Sequence, residues 1–319
     1  MKTPHTPPSI AVLIPCYNEE QTVEKVICDF KKQLPNAEIY VYDNASDDHT
    51  AQLATAAGAH VRHISRQGKG AVVRYMFREI EADLYVLVDG DDTYPAEDVH
   101  PLIHAVIHEG ADMAVGDRHS DGLYAQENKR PLHNAGNQLV RNIINILFKS
   151  HLQDMMSGYR VFNRAFVKHC PILIDGFELE VMMTLHALDR MYTIIEKPIA
   201  YRDRPAGSES KLNTLQDGWR ILRAIVWIFK DAKPFIFFLI LSTAIALIAT
   251  GFGLSSLGLH PSGDPQAYWL PVLISATLFI IATVFLSCGL ILDTAVKHVR
   301  EQYEVNFINR QTRPRTDLD

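Results

Sequence analysis

Cysteine is scarce in this chain, and its four copies carry no pattern: Cys16, Cys28, Cys170 and Cys288 are scattered, without metal-ligand spacing. That removes a thiol metal module and points to a reduced, cytosolic setting. A strong excess of one charge is also missing. The net charge of −6 argues against nucleic acid as a partner. Residues 1–9 are polar and proline-rich with no apolar run, so no signal peptide is expected there. No GxGxxG follows the first apolar run, which leaves a Rossmann-type dinucleotide site unsupported. Gly68-Lys69-Gly70 lacks the GxxxxGK[ST] spacing of a Walker A loop.

Charge is absent altogether from residues 235–259 and 267–292. Each run is about 25 residues, or roughly 37 Å as a helix, enough to cross a bilayer with some tilt. The alternative, a buried hairpin in a soluble core, fits poorly with two adjacent uncharged runs of this length. Arg220, Arg223, Lys230 and Lys233 precede the first run; Lys297, Arg300, Arg310, Arg313 and Arg315 follow the second; the connector 260–266 has neither Lys nor Arg. By the positive-inside rule both termini are expected in the cytoplasm. Just upstream, Leu215, Trp219, Leu222, Ile225, Val226 and Phe229 share a helical face. That pattern suits a helix lying in the lipid interface, or an ordinary surface helix packed on the domain. The expected organisation is a cytosolic domain over 1–213, an interfacial amphipathic helix over 214–233, a transmembrane hairpin over 234–293 and a cytoplasmic tail over 294–319.

What the chain does have is carboxylates at the ends of apolar runs. Leu84-Tyr85-Val86-Leu87-Val88 leads into Asp89-Gly90-Asp91-Asp92. A buried strand that delivers carboxylates to its tip is costly unless something neutralises them. Hard oxygen ligands suit Mg²⁺ or Mn²⁺, bridging one or two carboxylates to phosphates. The bland alternative is a solvated acidic turn. Strand patterns cover 10–14, 39–42, 60–64, 84–88, 112–115 and 193–201, and helical patterns cover 19–34, 48–57, 69–80, 99–108, 134–149 and 177–188. Such alternation predicts an α/β fold with a mostly parallel sheet covered on both faces. Ligands then bind beyond the carboxyl ends of the strands, where Asp43, Asp89 and Asp91 fall. Pro15 is expected to end the first strand. Asn18 reads either as the N-cap of the next helix, with Glu19 and Glu20 at its positive end, or as part of a base- and ribose-contacting loop in which Tyr17 packs on a ring. Asp43 is placed to accept hydrogen bonds from a uracil or ribose, while Ser46 or Asp47 caps the second helix. His49 reads as a solvated helix residue.

Ile14-Pro15-Cys16-Tyr17-Asn18-Glu19, the acidic stretch 43–48, Gly68-Lys69-Gly70 and Asp89-Gly90-Asp91 occur in a telling order and spacing. Together they make residues 10 to about 215 resemble the inverting family 2 glycosyltransferases of GT-A fold. Ser157-Gly158-Tyr159-Arg160, the loop Gly207-Ser208-Glu209-Ser210-Lys211-Leu212 and the two apolar runs narrow the resemblance. The chain looks like the polyprenyl-phosphate hexosyltransferases, the group of dolichyl-phosphate mannose synthases and undecaprenyl-phosphate glucosyltransferases. This resemblance implies that Pro15, Tyr17, Asn18, Glu19, Asp43, Lys69, Asp89, Gly90 and Asp91 bind the donor. Asp89 and Asp91 would hold the Mg²⁺ or Mn²⁺, with Asp91 the more direct ligand. Arg118, Arg130, Ser157, Arg202, Arg204, Ser210 and Lys211 would face the lipid acceptor, and Asp89, Asp91, Arg118 and Arg130 would form the catalytic set. The chain departs from the family's Asp-Ala-Asp-Leu-Gln in reading Asp89-Gly90-Asp91-Asp92-Thr93. Thr93 stands where a glutamine can assist the metal, and Asp92 is an added carboxylate with no assigned role.

The expected reaction is transfer of a hexose from a nucleotide sugar, a UDP-sugar favoured over a GDP-sugar, to a polyprenyl phosphate on the cytoplasmic face of a membrane, the bacterial inner membrane being favoured. The spans could also mediate self-association into a homo-oligomer. Rival readings are a glycan or diacylglycerol acceptor, and a non-catalytic membrane scaffold that keeps the fold. A nucleotidyltransferase of related fold is weaker, since no glycine-rich phosphate loop follows the first strand.

Overall fold

The computed structural model describes residues 7–119, 131–173, 179–202, 226, 229–231, 233–259 and 265–311. Two compact units divide the chain, Met1–Asp217 and Gly218–Asp319.

The first unit is built on strands β1 (Ile10–Cys16), β2 (Glu38–Asp43), β3 (His60–His63), β4 (Leu84–Leu87), β5 (Met113–Asp117), β6 (Arg160–Asn163) and β7 (Ile194–Pro198). They form one seven-stranded sheet in the order β3-β2-β1-β4-β6-β5-β7. β1 runs parallel to β2 and β4, β2 to β3, and β5 to β7, while β6 is antiparallel to both β4 and β5. The mostly parallel sheet is as expected; the single reversed strand is not visible in the βα alternation.

Helices cover both faces: α1 (Val23–Gln33), α2 (Thr50–Ala56), α3 (Lys69–Glu79), α4 (Val99–His108), α5 (Pro131–Phe148), α6 (Arg164–His169) and α7 (Leu179–Asp189). Alternate residues of β1 explain why that strand is apolar throughout. Val12, Ile14 and Cys16 pack with Val26, Ile27 and Phe30 of α1 and with Val99 and Leu102 of α4. Ala11 and Leu13 pack on the other side with Val72, Val73 and Met76 of α3, Phe166 of α6 and Met183 of α7.

Pro15 does not end β1. The strand continues to Cys16, which pairs with Asp43. Leu13 accepts from the Val88 N–H on the β4 side, and Cys16 accepts from the Asn44 N–H on the β2 side. Pro15 therefore turns its missing donor toward β4, which has already ended at Leu87, so no ladder bond is lost.

The second unit contains α8 (Pro234–Leu259) and α9 (Pro265–Gln311), both long and apolar enough to cross a membrane. They pack antiparallel through small residues. The Ser242 hydroxyl donates to the Ala282 carbonyl and the Ser275 hydroxyl to the Ala249 carbonyl, each at 2.8 Å. A Cβ on Gly289 would stand 2.8 Å from Phe238, the close approach that small residues permit between apolar helices. Large apolar side chains face outward, among them Leu247, Ile248, Ile280 and Ile291, which water does not favour over so long a surface. α9 continues past Asp293, so the predicted tail begins as helix. The predicted interfacial helix falls mostly outside the described residues.

Candidate active site

The carboxyl ends of β1, β2 and β4 share one edge of the sheet, and their loops are stitched together. The Asn18 N–H donates to Ser46 Oγ, and Asn18 Oδ1 accepts from the Asp47 N–H, both at 2.9 Å. The Glu19 N–H donates to Thr50 Oγ1 at 2.8 Å, and the His49 N–H to Glu20 Oε2 at 3.1 Å. Asn18 is therefore not the N-cap of α1, which begins later, after Thr22. Its φ of 54°, tolerated by asparagine better than by most residues, lets it bridge two loops instead. His49 is an exposed partner of Glu20.

Asp43 stands at the tip of β2, 2% exposed. Its Oδ2 accepts from the Ser46 N–H at 3.3 Å and lies 2.9 Å from His63 Nδ1. Its Oδ1 is buried with no hydrogen-bond partner among the described residues. Asn44 beside it holds the next loop: Nδ2 donates to the Arg66 carbonyl and Oδ1 accepts from the Gly68 N–H. That contact seats the start of α3, and with it Lys69.

Asp89-Gly90-Asp91 follows β4. Gly90 is required by crowding, since a Cβ there would lie 2.6 Å from Cys16 Sγ, and its carbonyl accepts from Thr22 Oγ1 at 2.6 Å. Burial, reinforced by the Glu19 carboxylate, pushes the Cys16 thiol well above its usual range, so it stays protonated and unreactive. Asp91 is buried, and its Oδ1 accepts from both the Thr93 N–H and, at 2.6 Å, Thr93 Oγ1. Asp92, at φ 59°, turns the other way onto Lys25, 2.6 Å distant. The added carboxylate thus pins the tip to α1.

The reversed strand completes the site. Because Arg160 of β6 pairs with Leu87 of β4, residues 157–160 enter at the edge where the parallel strands end. A Cβ on Gly158 would stand 2.6 Å from Asp89 Oδ2 and 3.2 Å from Lys69 Nζ. The Gly158 N–H donates to the Tyr94 hydroxyl at 3.0 Å. Ser157 is fully buried; its Oγ accepts from the Tyr159 N–H and its carbonyl from Arg160 Nε. Lys69 Nζ lies 2.5 Å from Asp89 Oδ1 and 2.6 Å from Glu180 Oε1. Burial opposes the charge on Lys69, but the two carboxylates outweigh it and raise its pKa. Glu180 escaped the sequence reading. The available signal is an acid on the buried face of α7, in register with Met183, Thr184 and Ala187.

Similarity to known proteins identifies the family. The model of the family described as glycosyl transferase family 2 matches residues 11–170. A relative from Haloferax volcanii named glycosyltransferase AglJ is 33% identical over 251 residues, covering 78% of this chain and 81% of its own. The chain belongs to glycosyl transferase family 2. Another relative from the same organism, a dolichyl-phosphate hexose transferase, is 30% identical over 70% of this chain and 95% of its own. The fold is shared with glucosyl-3-phosphoglycerate synthase from Mycobacterium tuberculosis, solved with Mn²⁺, UDP and phosphoglyceric acid, at TM-score 0.56 and 21% identity over 71% of this chain and 78% of that one.

In this transferase Asp89 and Asp91 present hard oxygens on a short tip, and Asp89 already attracts the Lys69 cation. That donor set fits Mg²⁺ or Mn²⁺ completed by phosphate oxygens and water. Among the described residues no group of three or more His, Cys, Asp or Glu side chains is arranged to hold a metal, so the donor's own phosphates would have to share the task. Of the cations expected at the acceptor, Arg118 is nearly buried and grips Asp154 by two bonds, Nε–Oδ2 at 2.7 Å and Nη2–Oδ1 at 2.9 Å. Burial pushes the Asp154 pKa up, and the Arg118 guanidinium more than reverses it, leaving the carboxyl below its ordinary range. Arg202 is half-exposed beside the tip: its N–H donates to the Thr93 carbonyl and Nη2 lies 3.0 Å from Glu97. Arg130, Arg204, Ser210 and Lys211 lie outside the described residues.

Proposed function

We propose that this transferase moves a hexose from a nucleotide sugar to a polyprenyl phosphate at the cytoplasmic face of a membrane, inverting the anomeric centre. The observation that carries the reading is the Asp89-Gly90-Asp91 tip set against Gly158 and Lys69 at the sheet edge. The likeness to the dolichyl-phosphate hexose transferase supports the choice of acceptor, and the outward apolar faces of α8 and α9 support a membrane setting.

Asp43 supports a UDP-sugar over a GDP-sugar. Its Oδ2 is taken by Ser46 and His63, which leaves Oδ1. One acceptor matches the single imide N–H of uracil; guanine presents two adjacent donors, including its exocyclic amine. Tyr17 and the bridge from Asn18 to Asp47 would shape the walls of the same pocket.

When bound, a divalent cation would offset the charge of the leaving diphosphate. Asp89 and Asp91 would place it, and Lys69 adds a fixed positive charge beside them. The nucleophile, a phosphate monoester with a second pKa of about 6, is largely dianionic at neutral pH and needs no strong general base. It needs cations to bring two anions to one carbon, a task suited to arginine; Arg202 stands beside the tip. In-line attack on an α-linked donor gives a β-linked lipid product.

The deciding experiment offers undecaprenyl phosphate, undecaprenol and diacylglycerol in parallel, with Mn²⁺ and one nucleotide sugar at a time, and reads product mass. Sugar on the lipid phosphate alone supports the reading. Transfer to diacylglycerol instead would replace it with a different acceptor class.

A further inference from the structure

Asp89, partly exposed at the donor tip, heads a polar network that runs inward to fully buried residues. Lys69 Nζ joins Asp89 to Glu180 at 2.5 and 2.6 Å. The backbone carbonyl of Glu180 accepts from Thr184 Oγ1 at 2.9 Å, and that hydroxyl in turn accepts from Arg160 Nη1 at 2.9 Å. Arg160, fully buried, also donates through Nε to the Ser157 carbonyl at 2.9 Å and through Nη2 to the Met155 carbonyl at 2.7 Å. Ser157 leads into Gly158, which lies against Asp89. Two cations, Lys69 and Arg160, balance two anions, Asp89 and Glu180, inside a ring drawn from α3, β4, β6 and α7. Arg160 and Glu180 are buried, and buried charges persist only when matched.

We propose that Glu180 is a positioning residue for the donor metal. By sharing Lys69 it offsets the ammonium's charge and fixes where that ammonium sits against Asp89, so that Asp89 stays oriented for an incoming metal–nucleotide. The proposal rests on the donor-site reading above. Removing the Glu180 charge leaves Lys69 with one carboxylate and adds a net positive charge beside the cation's place. Removing Lys69 and the Glu180 charge together restores the original charge balance.

The test uses the full chain in detergent. Mn²⁺ is titrated, followed by electron paramagnetic resonance, at UDP concentrations saturating for each variant; thermal unfolding confirms the fold. Glu180→Gln is expected to weaken Mn²⁺ binding by about tenfold or more, the direction Coulomb repulsion demands. The double variant Lys69→Met with Glu180→Gln is expected to return to within about threefold of the parent, the non-additivity of a coupled pair. A purely structural Glu180 gives the opposite pattern, the double variant binding no better than Glu180→Gln, and that overturns the proposal. So does Glu180→Gln binding Mn²⁺ as the parent does. A parent that binds no Mn²⁺ with UDP would overturn the donor-site reading itself. If Glu180→Gln fails to fold, Glu180→Asp, which keeps the charge at shorter reach, takes its place and is expected to bind Mn²⁺ more weakly than the parent; parent-like binding by it counts against the proposal.

Discussion

Gly158 has no room for a side chain because Asp89 Oδ2 would stand 2.6 Å from its Cβ. The contact joins the turn before β6, the reversed strand, to the acidic tip of its antiparallel neighbour β4. Gly158→Ala must therefore push the Asp89 carboxylate aside. Since that is the end of one side chain, the cost to folding is expected to be small, about 1 kcal/mol. Transfer should fall far more steeply, by more than about tenfold, because the displaced group is the one that places charge. Thermal unfolding and turnover, measured on the same preparation, check the split.

Asp91 is buried and oriented by Thr93 Oγ1 at 2.6 Å. Asp91→Asn is expected to abolish transfer while the protein stays folded, and to lose Mn²⁺-dependent UDP binding in calorimetry. Thr93→Val should keep partial activity, at a cost of about 1.5–3 kcal/mol for the hydrogen bond to a charged group. Substantial turnover in Asp91→Asn would remove it from the metal site.

The Arg118–Asp154 pair allows a pH prediction. Asp154 has a lower pKa folded than unfolded, because the Arg118 guanidinium outweighs the effect of burial. Its stabilisation is therefore complete above the ordinary carboxylate pKa, near about 3.9, and is lost as pH falls through the lowered folded value. Asp154→Asn should cost about 3–5 kcal/mol at neutral pH by stranding a buried cation, and should flatten the dependence of stability on acid. Arg118→Met with Asp154→Leu should recover most of that loss. Whether lipid transfer returns with the fold, read in the same double variant, separates a structural Arg118 from one that meets the acceptor.

Arg202 lies beside the tip, half-exposed and paired with Glu97. Replacing Arg202 and Arg204 together by Ala is expected to raise the lipid KM by about tenfold or more, the loss of charge-assisted phosphate contacts, with nucleotide affinity changed far less. Equal losses for lipid and nucleotide would reject the acceptor assignment.

Much of this architecture was legible in the sequence because it follows from periodicity. Alternating apolar runs and helical faces predicted the mostly parallel sheet, and strand ends placed Asp43, Asp89 and Asp91 on one edge. What periodicity does not encode is direction and long-range contact. A short apolar segment such as β6 reads the same whichever way it runs, so the arrival of Gly158 at Asp89 was invisible. Glu180 was hidden for the same reason, since its partner Lys69 is 111 residues away. Pro15 was misread by a local rule, being tolerated where its neighbour strand had already ended; of the two readings open for Asn18, the helix cap gave way to a loop-to-loop bridge. The departures at Asp92 and Thr93 acquire partners in the fold, Lys25 for the first and Asp91 for the second.

The most direct test of the account is the mass of the lipid formed from undecaprenyl phosphate across a panel of UDP- and GDP-sugars, run with Mn²⁺, with a chelator, and with Asp91→Asn. The account predicts one productive UDP-sugar, a product heavier by a single hexose residue, and loss of that product with the chelator and in the variant. Nucleotide release with no sugar on the lipid, or transfer that survives both treatments, would contradict it.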